Sequence, residues 1–204
     1  KSILTIATIL FAGGCATPLT LEEKVVGLFE QSIEAATIRT LFLDDGELYF
    51  LDGLFRGEAG WKIDNGHIHV STDPRDPIIV LRLNPDGSLT SIAEIHDGKR
   101  TDHSKKDRYS FKRIKSDASS DKFVGTYVDQ DGDKVVLHKE GSHVWEGDKI
   151  YDDKCWYVIK SGKIDIIGPR LGYQVFNIEP NGDLKWIEEN GREKSEPVLF
   201  KKIK

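Results

Sequence analysis

Apolar and polar residues alternate at a period of two in short runs along this chain, and turn-forming residues close each run. Trp61-Lys62-Ile63-Asp64 is followed by Asn65-Gly66 and then by His67-Ile68-His69-Val70. Alternation around an Asn-Gly pair is a strong short-range hairpin signal, because both central residues of the favoured two-residue turn need positive φ. The turn pairs Asp64 with His67, Ile63 with Ile68, Lys62 with His69 and Trp61 with Val70. Trp61, Ile63, Ile68 and Val70 then face inward, and Lys62, Asp64, His67 and His69 face outward. Further breaks at Asp44-Asp45-Gly46, Asn84-Pro85-Asp86-Gly87 and Asp97-Gly98 separate other β-rich runs. Helix is scarce: Thr20 with Glu23 has capping-box spacing and predicts one turn before Gly27.

The pattern occurs twice. Lys24-Val-Val-Gly27-Leu-Phe29 returns as Lys122-Phe-Val-Gly125-Thr-Tyr127, and Tyr109-Ser-Phe111-Lys-Arg-Ile-Lys115 returns as Val198-Leu-Phe200-Lys-Lys-Ile-Lys204. Gly46 and Trp61 are 15 residues apart, as are Gly141 and Trp156; Trp61 and Pro85 are 24 apart, as are Trp156 and Pro180. The organisation predicted is a tether over 15–23, a repeat over 24–115, a linker over 116–121 around Ser116-Asp-Ala-Ser-Ser120, and a repeat over 122–204. Each repeat has room for seven or eight antiparallel strands at about ten residues per strand and turn. The fold class expected is therefore all-β, two tandem small antiparallel β-barrels, since closure removes sheet edges.

In the second repeat one more residue separates Trp156 from the turn glycine than separates Trp61 from Gly66. A three-residue loop, Lys160-Ser161-Gly162, would restore the register and place Trp156, Val158, Ile164 and Ile166 inward. Cys155, Tyr157 and Ile159, with Ile167 opposite Cys155, would then form an apolar patch on the outer face. The corresponding strand of the first repeat carries Gly60, Lys62 and Asp64 there. Such a patch is a candidate interaction surface, covered by the first repeat, by an envelope protein partner, or by a loop of its own repeat.

Residues 1–14 differ from the rest of the chain. Lys1 precedes an uncharged, largely apolar run, Ile3 to Ala12, and then Gly13, Gly14 and Cys15. A run of ten is half the ~20 residues a spanning helix needs, and its form is that of a signal peptide. Ala12-Gly13-Gly14-Cys15 resembles the lipobox of bacterial lipoproteins, which implies lipidation of Cys15 and attachment to the membrane. Ala16 after the cysteine resembles the outer-membrane class of such proteins, so the localisation implied is the cell envelope, at the outer membrane. The alternative is an ordinary secretory signal cleaved nearby. The Gly-x-aromatic starts, Gly27-Leu28-Phe29 and Gly125-Thr126-Tyr127, resemble the opening of lipocalin-like barrels, and each repeat resembles the small Val-Gly-Thr-Tyr modules of bacterial lipoproteins.

Composition narrows the chemistry. Of 204 residues, 34 are acidic and 29 basic, for a net charge of −5 spread without blocks, so no nucleic-acid footprint is present. Two cysteines are too few for a disulfide framework. Asp102-His103-Ser104 are neighbours in sequence, whereas a triad needs convergence in space. Asp129-x-Asp131-x-Asp133 has calcium-loop spacing, but Lys134 stands where that loop requires glycine, so Asp131-Gly132 reads as a turn. His67-x-His69 could hold a metal with Asp64, yet the second repeat has Lys163 and Asp165 there, and a solvent-facing pair is expected. Neither a cofactor nor catalysis is expected. The function expected is that of an anchored, non-catalytic binding or interaction module with packed barrels. The alternative is a lipocalin-like carrier of a small apolar ligand, and a cavity of a few hundred Å³ would favour it.

Overall fold

The computed structural model describes residues 19–33, 36–52, 55–117, 121–139, 141–147 and 151–203. The leader over 1–14 and Cys15 lie outside these residues. Helix α1, Leu21–Val25, starts at the expected capping box: Glu23 N donates to Thr20 Oγ1, and Thr20 N donates to Glu23 Oε2. It leads into an eight-stranded antiparallel barrel. The staves are β1 (Gly27–Ile33), β2 (Ala36–Phe42), β3 (Glu47–Asp52), β4 (Phe55–Asp64), β5 (His67–Ser71), β6 (Ile78–Leu83), β7 (Leu89–His96) and β9 (Ser110–Arg113). Strand β9 pairs with both β7 and β1, and β6 pairs with β7, which closes the ring. Strand β8 (Lys99–Asp102) pairs with the far half of β7 as an external flap. The second barrel is an uninterrupted ring of β10 (Gly125–Val128), β11 (Lys134–Leu137), β12 (Ser142–Glu146), β13 (Tyr151–Lys160), β14 (Lys163–Gly168), β15 (Gly172–Ile178), β16 (Leu184–Glu189) and β17 (Arg192–Lys202).

The repeated sequence ends form one repeated device. Gly27 and Gly125 sit at φ 134° and 142°, and a Cβ on either would stand 3.0 Å from a basic side chain of the last strand, at Arg113 Nη1 or Lys202 Cε. Only glycine combines that backbone with so close an approach. Two residues on, Phe29 and Tyr127 point into their barrels and are fully buried. The Arg113 guanidinium lies 4.9 Å from the Phe29 ring centre and donates to the carbonyls of Lys24 and Val26. Lys202 Nζ lies 5.5 Å from the Tyr127 ring centre and donates to Lys122 O at 2.9 Å. A cation over an aromatic ring thus ties the last strand to the segment before the first. In the first barrel, α1 closes the same end by inserting Val25.

The first hairpin has the predicted register, Trp61↔Val70 through Asp64↔His67, with Asn65 and Gly66 at positive φ. The second hairpin corrects the expectation. Its turn is the two-residue pair Ser161-Gly162, φ 52° and 75°, so Lys160 pairs with Lys163, Ile159 with Ile164 and Tyr157 with Ile166. Cys155, Tyr157 and Ile159 therefore lie inside the second barrel with Ile164 and Ile166, while Trp156, Val158 and Ile167 face out. The cause is an extra residue in β13, beside the irregularity between His143 and Trp145 of β12. Trp61 N donates to Gly46 O, but the matching bond to Gly141 O comes from Tyr157 N, both at 2.7 Å. Tyr157 is thus the counterpart of Trp61, and Trp156 that of Gly60.

The outer face so created packs on the first barrel. Val158 and Ile167, with Trp156 and Tyr173 at the margin, meet Leu28, Leu41, Leu43 and Leu51. Lys154 Nζ spans the junction to Asp45 Oδ2 at 2.8 Å and Glu47 Oε2 at 2.7 Å. Arg39 stacks 4.0 Å from the centre of the Tyr173 ring. Ser116 and Asp117 lie along the second barrel: Ile159 N donates to Ser116 Oγ and Asp117 N to Ile159 O.

Candidate functional site

The two interiors differ. In the second barrel Trp145 lies 5.5 Å from Trp186 and 5.5 Å from Phe200 between ring centres, and Phe176 stacks on Trp186 at 6.1 Å. These rings fill the middle of the barrel. The turns before β7 and β16 carry the same bonds, Asn84 N to Ser88 O and Glu179 N to Asp183 O, so the strands align residue by residue. Phe50, Leu81 and Ser91 of the first barrel then correspond to Trp145, Phe176 and Trp186. The pairings Leu81↔Ser91 and Phe176↔Trp186, and Thr40↔Phe50 and Val135↔Trp145, confirm the match.

Smaller residues at those positions leave a cavity of about 440 Å³ in the first barrel. Its size lies within the range of small-molecule sites. The floor is Phe42, Leu48, Leu81 and Phe111, below which Phe42 meets Phe29 and Trp61 edge to face at 5.4 and 5.7 Å. The walls are Ile38, Phe50, Val70 and Ile79, and the rim is Gln31, Thr72, Pro77 and Tyr109. These rim residues come from the ends of the strands opposite α1, so the cavity opens away from the end that Val25 closes. Tyr109 is held in place by its backbone, since Tyr109 N donates to Ser91 Oγ and Ser91 N to Tyr109 O. Burial holds the Tyr109 phenol above its ordinary pKa, with Glu94 adding to the rise. A packed interior, expected for both barrels, is therefore found in the second and not in the first.

Thr40 stands in the cavity wall between Ile38 and Phe42. It is 1% exposed, and its hydroxyl has no hydrogen-bond partner among the described residues. Gln31 lies diagonally across from it on the inner face, since Thr40 pairs with Phe29 and Gln31 with Ile38. The counterpart of Thr40 in the second barrel is Val135, fully buried, so the scaffold itself requires no hydroxyl there.

The residues singled out in the sequence fall elsewhere. Cys155, Tyr157 and Ile159 belong to the interior of the second barrel, where Tyr157 Oη donates to His138 O at 2.6 Å. Of the expected outer patch, Ile167 alone faces out, and the first barrel covers it. His69 is also corrected: it is on the outer face but buried beside β6, and Asp64 approaches His69 at 3.7 Å rather than His67. Burial lowers the pKa of His69, a loss that Asp64 partly offsets. His67 Nδ1 meets Asn65 O instead, at 3.1 Å. Among the described residues no cluster of His, Cys, Asp and Glu is arranged to hold a metal ion. Asp102 accepts from Arg100 at 2.8 Å, His103 contacts Ser91 and Ser104 donates to Asp107, so the three diverge. Asp129 Oδ1 accepts from the backbone N of Asp131 and Asp133, a turn in place of a calcium loop.

Sequence reasoning did not find Gln31, Thr40, Phe50 or Leu81. The alternation of Ile38, Thr40 and Phe42 places them on one face of β2, but a cavity shows only once the two repeats are aligned and their side-chain volumes compared. No known family model and no curated protein matches the chain.

Proposed function

We propose that this protein is a non-catalytic binding module of the cell envelope, anchored by lipid on Cys15, and that its first barrel takes up a small apolar ligand. The observation that carries the reading is the 440 Å³ apolar cavity, open at one end, in a barrel whose duplicate is filled. A duplicated scaffold that packs well with Phe176 and Trp186 has no structural need for Leu81 and Ser91 at the same places. Burial of an apolar ligand there gains roughly 25 cal/mol per Å² removed from water. The second barrel and the interface it shares with the first then serve as support.

The test is direct. N-phenyl-1-naphthylamine, an uncharged probe that brightens in apolar surroundings, should bind the purified chain at one site. Leu81→Phe, which brings the second barrel's residue into the first, should abolish that binding with the fold retained. The reading is lost if the probe fails to bind or if Leu81→Phe leaves its binding unchanged. The anchor is supported by the Ala12-Gly13-Gly14-Cys15 motif. Cys15→Ser should move the protein from the membrane to the soluble fraction on cell fractionation, and equal retention of variant and wild type would refute lipidation.

A further inference from the structure

We infer that the first-barrel cavity selects an uncharged amphiphile, a single alkyl chain ending in a hydroxyl-type head, over a carboxylate of the same length. This rests on the reading of that cavity as a ligand site. The volume of about 440 Å³ accommodates roughly fifteen non-hydrogen atoms at ~30 Å³ each, the share of one water in the liquid. That is the size of a medium-length chain with a small head. The apolar wall supplies no hydrogen bonds for most of its height, and the exception is Thr40.

A buried hydroxyl without a partner loses its hydration and gains nothing in return. Thr40 Oγ1 is in that condition on the inner face, at a position where the second barrel has valine. Oγ1 is itself buried, so a turn of the Thr40 side chain about χ1 presents it to the cavity; a ligand hydroxyl can then both donate to it and accept from it, and the Gln31 amide, diagonally nearer the rim, can complete the pair. An ionised head at this depth would be desolvated without a counter-charge, because none of the lining residues is Asp, Glu, Lys, Arg or His. A carboxylate left at the mouth fares little better. The rim segment 72–77 carries Asp73, Arg75 and Asp76; Arg75 is engaged by Asp73 at 2.9 Å, and Thr72 Oγ1 donates to Asp76. With two carboxylates to one guanidinium, this segment presents a net negative charge to an anionic head.

The experiment displaces N-phenyl-1-naphthylamine with decane, 1-decanol or decanoate at pH 7.5, using the chain with Cys15→Ser so that no acyl anchor enters the assay. Decanol should displace the probe at a concentration at least tenfold below decanoate. Thr40→Val should weaken decanol about fivefold, the equivalent of one ~1 kcal/mol hydrogen bond, and leave decane unchanged. This variant installs the side chain that Val135 has in the second barrel, and an undiminished melting temperature will show that it folds. Decanoate matching decanol, or an unchanged ratio of decanol to decane affinity in Thr40→Val, overturns the inference and leaves the cavity reading standing. If the probe binds neither wild type nor variant, the cavity reading fails, and the inference with it.

Discussion

In the second barrel Trp145, Phe176 and Trp186 meet at the centre, whereas the first has Phe50, Leu81 and Ser91 at the same stave positions and a cavity lined by the first two. One closing device is shared by the two barrels: the glycine at positive φ, the buried aromatic two residues on, and the cation of the last strand over that ring. Eight strands enclose an interior that side chains can just fill, so a few large-to-small differences suffice to hollow it. The same duplication that conserves the scaffold's closure thus leaves its middle free to differ, and the middle is where binding capacity resides. Polar residues mark the two interiors differently as well. The first places unpartnered Thr40 in the cavity wall, while the second encloses His143, fully buried and unpartnered at both ring nitrogens among the described residues.

The comparison is broken most forcefully by truncating matched positions. Phe176→Ala, inside the filled barrel, should cost about 4 kcal/mol in urea unfolding, because it opens a void among rings that cannot collapse. Phe50→Ala, in the cavity wall, should cost about half of that, since the ring already borders open space. Equal costs would mean that the two interiors are equally packed.

The second effect is one of pH. Burial, with a smaller contribution from His138, lowers the His143 pKa to about 3 from an ordinary 6.5. Below pH 6.5 the unfolded chain takes up a proton at this residue that the folded chain refuses. Stability should therefore fall as pH drops from 6.5 toward 3, at about 1.4 kcal/mol per unit. His143→Leu, which copies Leu48 of the first barrel, should flatten that slope in urea midpoints measured from pH 7 to 5. An unchanged slope would mean that His143 finds a proton acceptor in the folded protein.

The smallest effect belongs to the junction. The hydrogen bonds from Lys154 lower the pKa of Glu47, with Tyr49 contributing, so the pair stabilises the fold above the ordinary carboxylate range and loses that effect as acid protonates it. The groups are well exposed, so Lys154→Ala should cost less than about 1 kcal/mol at pH 7, less still in high salt, and nothing once the acids are protonated. A loss that persists at low pH would show that the lysine stem, not its charge, holds the junction.

The first hairpin was legible because one face of it is polar. Lys62 and Asp64 could not be core residues, so alternation decided which way Trp61 and Ile63 point. The second hairpin was not legible for the opposite reason. Cys155, Tyr157 and Ile159 alternate with Trp156 and Val158, both sets are apolar, and a period of two carries no information when either face could be buried. The equal spacing from Gly46 to Trp61 and from Gly141 to Trp156 then matched the wrong aromatic, since the extra residue in β13 makes Tyr157 the counterpart.

By itself, then, the sequence determined the local and repeated parts of this protein: the capping box at Thr20, the Asn65-Gly66 turn, the duplicated Gly-x-aromatic openings and the all-β, two-barrel plan. These depend on contacts between near neighbours or on patterns that recur along the chain. Tertiary structure alone decided which face of β13 serves the second barrel and which docks on the first, and that one barrel is hollow. Both depend on the summed volume and placement of side chains from strands far apart in sequence, such as Thr40, Leu81 and Phe111, whose common wall exists only after the ring has closed.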